Sequence, residues 1–152
     1  MSTATPPAGF WHLIVGYDGS APSRRAIDAA ASLMQGRTGH IEVVYVAHLP
    51  GLAMFSTSAI AEVESDFDEV AQTLRDAAAE QLKGRVAAWQ LRRREGIIAD
   101  QLIAAATELR DAHPGDPVTI VVGSSCHAAH RVAGSVAVSL ARHSPVPVVI
   151  VP

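Results

Sequence analysis

The sequence predicts an α/β fold in which a parallel five-stranded sheet carries helices on both faces. Five apolar segments alternate with four segments of helical periodicity along the chain. Most of the apolar segments are nearly continuous and rich in β-branched residues, which is typical of strands buried on both faces. Regular alternation of strand and helix predicts right-handed βαβ crossovers and a doubly wound, Rossmann-like sheet. The 152 residues, of which 49% are hydrophobic and 18% charged, suffice for one such core.

The predicted strands differ in their sequence patterns. Four are continuous apolar runs, such as HLIVGY and VTIVVG. The remaining one alternates, with Trp89 and Leu91 on one side and Gln90 and Arg92 on the other, so we expect Trp89 to pack on the sheet. In chain order the predicted strands are 12–17, 41–48, 86–94, 118–123 and 146–152.

The segments between the strands have the features of helices. The first has Ser20 as its N-cap and Pro22 in its first turn. The second, at 57–84, places apolar residues at steps of three and four, which predicts an amphipathic helix. The third stops at Pro114, and the fourth lies near residues 135–143.

Composition and charge argue against several classes of protein. The net charge of −3 gives no electrostatic reason to expect nucleic acid or an anionic membrane as a partner. The single Cys126 excludes an internal disulfide and fits a reducing, cytoplasmic location. Residues 1–9 predict a disordered tail rather than a signal peptide, ahead of one domain at 10–152. No apolar run reaches the length of about 18 residues that a membrane helix needs.

Candidate ligand-binding residues follow the first and fourth predicted strands, at the carboxyl ends where open parallel sheets bind ligands. Asp18 is a candidate acceptor for ribose hydroxyls, although an Asp-Gly turn explains the same residue and is favoured by spacing alone. Gly123 lets a ligand approach the backbone closely. Gly134 and Ser135 open the last helix, whose N–H groups favour an anion, and Arg131 adds a cation. The alternative is an ordinary strand-to-helix connection with a serine cap.

The loop between these elements also holds candidate metal ligands. Cys126, His127 and His130 lie within five residues, but a structural zinc site is normally four-coordinate and a fourth ligand is not evident. We therefore expect both histidines to be solvated or packed in the loop, and we expect no metal requirement. The Walker A, HExxH, GxSxG and GxGxxG motifs are absent from the sequence. The chain is therefore not predicted to be an enzyme, although a slow ATPase activity stays open.

Several of these segments together resemble the universal stress protein family. The resemblance lies in HLIVGYDGS at strand one, VVYV in strand two, VVGSS and GSVA around the late loop, and SPVPVVIV at the end. It covers about residues 10–152 and implies strand order 3-2-1-4-5, with a homodimer that pairs through the last strand at 146–151. Some members of the family bind ATP, some bind cyclic AMP, and others bind no nucleotide.

The family's nucleotide-binding members carry a late Gly-x2-Gly-x9-Gly-Ser/Thr motif. By this resemblance Gly123 is the first glycine, and Gly134 with Ser135 closes the motif. Cys126 stands at the second glycine, and the spacer that follows it has seven residues instead of nine. The nucleotide-binding residues that the resemblance and the loop chemistry together predict are Asp18, Val46, Gly123, Ser124, Cys126, Arg131, Gly134 and Ser135.

The resemblance also assigns the adenosine end of the site. Asp18 matches the family's ribose-side acid, and Val46 matches the residue of strand two whose backbone meets adenine. The sequence thus favours a universal-stress-type regulatory protein that binds ATP, AMP or cyclic AMP at the carboxyl ends of strands one and four. The alternative is a nucleotide-independent dimeric stress protein that acts by binding other proteins.

Overall fold

The computed structural model describes residues 9–47, 57–124 and 134–152, with the backbone alone at 57–60. Its strands are β1 (Trp11–Gly16), β2 (Gly39–Ala47), β3 (Trp89–Glu95), β4 (Val118–Gly123) and β5 (Val148–Val151). Its helices are α1 (Ala21–Leu33), α2 (Thr57–Leu82), α3 (Ile98–Ala112) and α4 (Ser135–His143). The five strands are parallel and lie in the order β3-β2-β1-β4-β5, which confirms the predicted α/β fold and strand order.

The strand order reverses between β1 and β4. From β1 the chain moves through β2 to β3 on one side of the sheet, and α3 carries it back to β4 on the other side. In the centre of the sheet, Val15 of β1 lies beside Val43 of β2 and Val121 of β4. Where the order reverses, the loops after neighbouring strands diverge and leave a crevice at the carboxyl ends. This crevice therefore lies between the ends of β1 and β4.

Helices cover both faces of the sheet, as the sequence predicts. Alternate residues of a strand point to opposite faces. Leu13 and Val15 of β1 join a core with α1 and α2, whereas Ile14 joins a second core with α3 and α4. Each helix contributes at least one fully buried side chain, and these include Ile27, Leu82, Leu102 and Leu140. Removal of these apolar surfaces from water is the main force that holds the layers together.

The ends of the elements lie within two residues of the predictions, except at the start of β3. Ser20 is the N-cap of α1, as predicted. The third strand, however, begins at Trp89 rather than at residue 86. The N–H groups of Arg85 and Val86 both donate to the Leu82 carbonyl oxygen, at 3.0 and 3.3 Å, and so close the last turn of α2. Because these groups complete a helix, they are not available to start a strand.

The helix α2 is longer than the sheet that it covers. Its 26 residues extend about 39 Å at 1.5 Å per residue, whereas the nine residues of β2 span about 30 Å. Among the described side chains of α2, the buried ones therefore all lie in its second half, at Ala71, Leu74, Ala78 and Leu82. Val70, at the start of this half, is 42% exposed. The first half of the predicted amphipathic helix thus contributes little to the core.

The described part of the chain begins at Gly9, so residues 1–8 lie outside it. The disordered tail at 1–9 and the domain boundary at residue 10 stay predictions. Within the described ranges, none of the helices has both the length and the apolar character required to cross a membrane.

Truncation of Ile27 to alanine should destabilise the fold far more than the same truncation of Leu33. Both residues lie in α1, but Ile27 is fully buried and Leu33 is 37% exposed. Ile27→Ala leaves a cavity, so we expect it to lower the free energy of unfolding by about 2–5 kcal/mol. Leu33→Ala should lower it by less than about 1 kcal/mol. Urea unfolding followed by circular dichroism measures both, and equal losses would contradict the core placement.

Candidate functional site

A cleft opens at the carboxyl ends of β1, β2 and β4, where the strand order reverses. The ends of these strands and the beginnings of α1, α3 and α4 line it, and its volume is about 150 Å³. Pockets for drug-sized ligands typically hold roughly 300–1,000 Å³. The cleft is therefore smaller than a site that encloses a whole ligand of that size.

Asp18 lies at the mouth of the cleft with an exposed side chain. Its Oδ1 accepts a hydrogen bond from the Ser20 N–H at 2.9 Å, and its own N–H donates to Ser23 Oγ at 3.4 Å. Partial burial raises the pKa of the Asp18 carboxyl, but hydrogen bonds from the side chain and backbone of Ser20 outweigh this effect and hold the pKa below its usual 3.8. Asp18 thus forms the turn that its spacing predicts, and it presents an ionised carboxylate to the cleft.

The N-termini of α1 and α4 differ in how their N–H groups are satisfied. At α1 the Ser20 side chain accepts from the Ser23 N–H at 3.4 Å, and the Ser23 hydroxyl donates to the Ser20 carbonyl oxygen at 2.9 Å. At α4 the N-cap is Gly134, and no side chain of the described residues caps this end. The first turn of α4, which starts at the exposed Ser135, is therefore the better placed of the two to bind an anion.

Gly123 has a packing role that its sequence context does not reveal. A Cβ at this position would lie 2.1 Å from the Pro22 carbonyl oxygen and 2.8 Å from the Pro22 Cβ. Both distances are far shorter than a van der Waals contact, so any side chain at residue 123 would push α1 away from β4. The fold therefore requires glycine here whether or not a ligand approaches.

Ser124 is tied into the sheet. Its side chain is buried, and its N–H donates to the Val151 carbonyl oxygen at 2.7 Å. This bond continues the pairing of β4 with β5 by one residue. The Ser124 N–H therefore serves the strand ladder, although the sequence places this residue in a phosphate-binding loop.

The backbone of Val46 faces the crevice. The Val44 carbonyl oxygen accepts from the Tyr17 N–H at 2.9 Å, so the backbone groups of Val44 point toward β1. These directions alternate along a strand, and Ala47 accordingly points to the other side, where its carbonyl oxygen accepts from the Gly96 N–H at 3.1 Å. The N–H and C=O of Val46 consequently point to the β1 side, beyond the last residue of that strand.

The rest of the predicted loop lies outside the described residues. Cys126 and Arg131 fall within 125–133, as do His127 and His130. Their assignment to a nucleotide site, and the solvated or packed role expected for the two histidines, stay predictions.

Apolar residues that belong to no motif form much of the cleft. Val44, Leu102 and Val122 are buried residues of its lining, and Ile98 and Val136 line more accessible parts. Ile98 is 38% exposed although it is a large aliphatic residue. In the sequence, only its position at the start of the helix after β3 indicates that Ile98 lies near the carboxyl ends of the strands.

Comparison with known proteins identifies the family. The model of the universal stress protein family matches residues 9–152. The chain therefore belongs to the universal stress protein family. Among curated proteins no match was found.

Solved structures of universal stress proteins are similar to this chain. One from Lactobacillus plantarum is 22% identical, with 95% of this chain and 99% of that chain covered and a TM-score of 0.71. A universal stress protein in complex with cAMP is 23% identical, with 95% and 98% covered and a TM-score of 0.62. A family member from Arabidopsis thaliana with AMP bound is 12% identical, with 92% and 90% covered and a TM-score of 0.59. At these identities the likeness establishes a common fold.

Replacement of Gly123 by alanine should destabilise the protein even when no nucleotide is present. The added Cβ meets the Pro22 backbone, so we expect Gly123→Ala to lower the free energy of unfolding by about 3 kcal/mol. Gly36→Ala is the matched control, because Gly36 has φ of +71° but no atom within 4 Å of a built Cβ. Strain alone should cost that variant about 1 kcal/mol. Urea unfolding compares the two, and a smaller loss for Gly123→Ala than for the control would contradict the packing role.

Proposed function

We propose that this universal stress protein is a regulatory protein that binds an adenine nucleotide (ATP, AMP or cyclic AMP) in the cleft. The observation that carries the proposal is Asp18, an ionised carboxylate at the mouth of a largely apolar cleft. A mostly apolar pocket with a few placed polar groups is the usual form of a small-molecule site. An acidic side chain near a strand end is the usual partner of ribose hydroxyls in this kind of sheet.

Each part of an adenine nucleotide has a candidate partner in the cleft or directly beside it. The aliphatic side chain of Ile98 offers the base an apolar surface. The N–H and C=O of Val46 supply the donor and acceptor that the edge of adenine requires. Asp18 accepts from the ribose, and the first turn of α4 at Ser135 supports a phosphate group.

The balance of these contacts favours the adenosine end. Gly123 packs closely against Pro22 of α1, and the Ser124 N–H donates to the Val151 carbonyl oxygen. Two residues of the glycine-rich motif are thus used by the fold. We infer that base and ribose supply most of the affinity, and that the phosphate tail adds little.

Two relatives support the choice of ligand. One solved family member is a complex with cAMP, and another has AMP bound. Both ligands contain adenosine with a single phosphate group. A regulatory role agrees with the lack of known catalytic motifs in the sequence, and the single Cys126 supports a cytoplasmic location.

The second candidate function is a nucleotide-independent dimer that acts by binding other proteins. The bond from Ser124 to Val151 favours it, because this bond takes an N–H away from the phosphate end of the cleft. A protein that binds none of the three nucleotides would have this function instead.

The three nucleotides should bind with similar affinity. If the adenosine end dominates, the dissociation constants of ATP, AMP and cyclic AMP should agree within about tenfold, which corresponds to about 1.4 kcal/mol. Isothermal titration calorimetry of the full chain measures them. A preference for ATP over AMP by several orders of magnitude would show that the phosphate end dominates.

Asp18→Asn should weaken the binding of all three nucleotides by about 10- to 100-fold, because a hydrogen bond to a charged group contributes about 1.5–3 kcal/mol. The matched control is Asp28→Asn, since Asp28 lies in α1, pairs with Arg85 and does not line the cleft. The same calorimetry should give wild-type affinity for the control. Equal affinities of Asp18→Asn and wild type would remove the basis of the proposal.

We also propose that the protein is a homodimer that pairs through β5. This strand is Val148–Val151, shorter than the predicted 146–152, and it pairs only with β4 among the described strands. Ile150 is 37% exposed on it. An unpaired edge with apolar side chains favours pairing with a second strand, although flanking prolines reduce the number of N–H donors.

A lysine at residue 150 should therefore separate the dimer. A charge on an edge strand opposes pairing, so Ile150→Lys should shift the mass measured by light scattering from two chains to one. Leu33→Lys is the matched control, because Leu33 is also 37% exposed but lies in α1. The control should stay dimeric. A monomeric wild type at micromolar concentration would contradict the proposal.

A further inference from the structure

A cluster of three metal-ligating side chains lies at the amino ends of the strands, opposite the cleft. His12 is near the start of β1, and His113 and Asp116 precede β4. One ligand atom from each residue lies within 4.8 Å of the other two. We propose that these three side chains bind a divalent transition-metal ion, with Zn²⁺ as the best match.

His12 is fixed by its surroundings. Its side chain is 5% exposed and has the rings of Phe10 and His113 at centroid distances of 5.0 and 4.6 Å. Its backbone N–H donates to the Pro117 carbonyl oxygen at 2.9 Å. Its Nε2 lies 3.3 Å from Asp116 Oδ2, and its buried Nδ1 has no hydrogen-bond partner in the described part of the chain. The Nε2 atom, which faces the Asp116 carboxylate, is therefore the nitrogen placed to bind an ion at the cluster.

A tight turn holds the other two ligands close together. The Asp116 N–H donates to the His113 carbonyl oxygen at 3.2 Å, across Pro114 and Gly115. Gly115 has φ of +95°. Proline followed by a glycine of positive φ is the pattern of a type II turn, which these two residues stabilise. The backbone separation between His113 and Asp116 is therefore set before any ion binds.

Two imidazoles and one carboxylate form a donor set that suits Zn²⁺. This ion binds histidine nitrogen and carboxylate oxygen at about 2.0–2.2 Å, and sites with three protein ligands leave a fourth position for water. Bond lengths of this size place tetrahedral ligands about 3.4 Å apart, close to the 3.3 Å between His12 Nε2 and Asp116 Oδ2. The His113 ligand atom lies within 4.8 Å of the other two, and rotation of this exposed side chain would bring it to the same separation. Ca²⁺ and Mg²⁺ prefer oxygen ligands and fit less well.

The simpler alternative is a structural hydrogen bond between His12 and Asp116 with no ion. It explains the 3.3 Å contact between His12 Nε2 and Asp116 Oδ2. It gives no role to His113, which stacks on His12 at an interplanar angle of 24°. The cluster lies at the amino ends of the strands, whereas Asp18 lies at their carboxyl ends. The metal proposal and the nucleotide proposal can therefore be tested independently.

Calorimetric titration with Zn²⁺ tests the proposal on the full chain after treatment with EDTA. Wild type should bind one ion per chain at the cluster. His113→Ala and Asp116→Asn should each weaken this binding at least tenfold, and both should fold, because neither residue belongs to the core. His143→Ala is the matched control, since His143 is an exposed histidine in α4, and it should bind as wild type does.

A second variant tests the histidines and the cysteine of the loop. Cys126→Ser combined with His127→Ala and His130→Ala removes every ligand of that loop and should leave the site intact. Absorption of Co²⁺ in place of Zn²⁺ provides an independent signal, because a tetrahedral site gives visible bands that should vanish in His113→Ala. The proposal would be overturned if the wild type bound less than one Zn²⁺ per chain, or if both cluster variants bound Zn²⁺ with unchanged affinity. Loss of Zn²⁺ binding in the loop variant would also overturn it.

Discussion

The close approach of α1 to the end of β4 determines both the packing and the cleft of this protein. The Pro22 carbonyl oxygen occupies the space that a Cβ of residue 123 would need. Because glycine allows this approach, the start of α1 lies beside the ends of β1 and β4, at the point where the strand order reverses. The turn at Asp18 leads directly into this part of α1, because the Ser20 N–H donates to Asp18 Oδ1 and Ser20 is the N-cap of the helix. The shape of the cleft thus follows from a packing constraint in the core.

This constraint divides the cleft into two chemically different ends. On the side proposed for adenosine, Asp18 offers an ionised carboxylate, and the outward-facing backbone of Val46 offers a donor and an acceptor. On the side proposed for phosphate, the Ser124 N–H pairs with β5, and the start of α4 remains as the favourable anion position. A protein built in this way is expected to recognise adenosine more than the length of its phosphate chain. Such a preference would agree with the proposed regulatory role better than with an ATPase.

The fold was largely predictable from sequence because its strands are continuous apolar runs and Ser20 is a strong cap. The start of β3 was not predictable, since the N–H groups of Arg85 and Val86 pair with the end of α2 and no residue type marks that choice. At the site, a sequence motif predicted Asp18. No motif predicted Ile98, because the apolar lining of a cleft depends on how distant elements pack together. The pairing of His12 with Asp116 was equally hidden, since residues far apart in sequence meet only through strand register.

The location of bound AMP tests the central claim most directly. Amide chemical shifts of the ¹⁵N-labelled protein, recorded while AMP is added, report which backbone groups change their environment. The amides of Asp18, Val46 and Val136 should shift together, because these residues line the proposed nucleotide cleft. The amide of His12, at the opposite end of β1, should stay unchanged. Shifts confined to other regions, or none at saturating AMP, would contradict the assignment of the cleft as an adenine-nucleotide site.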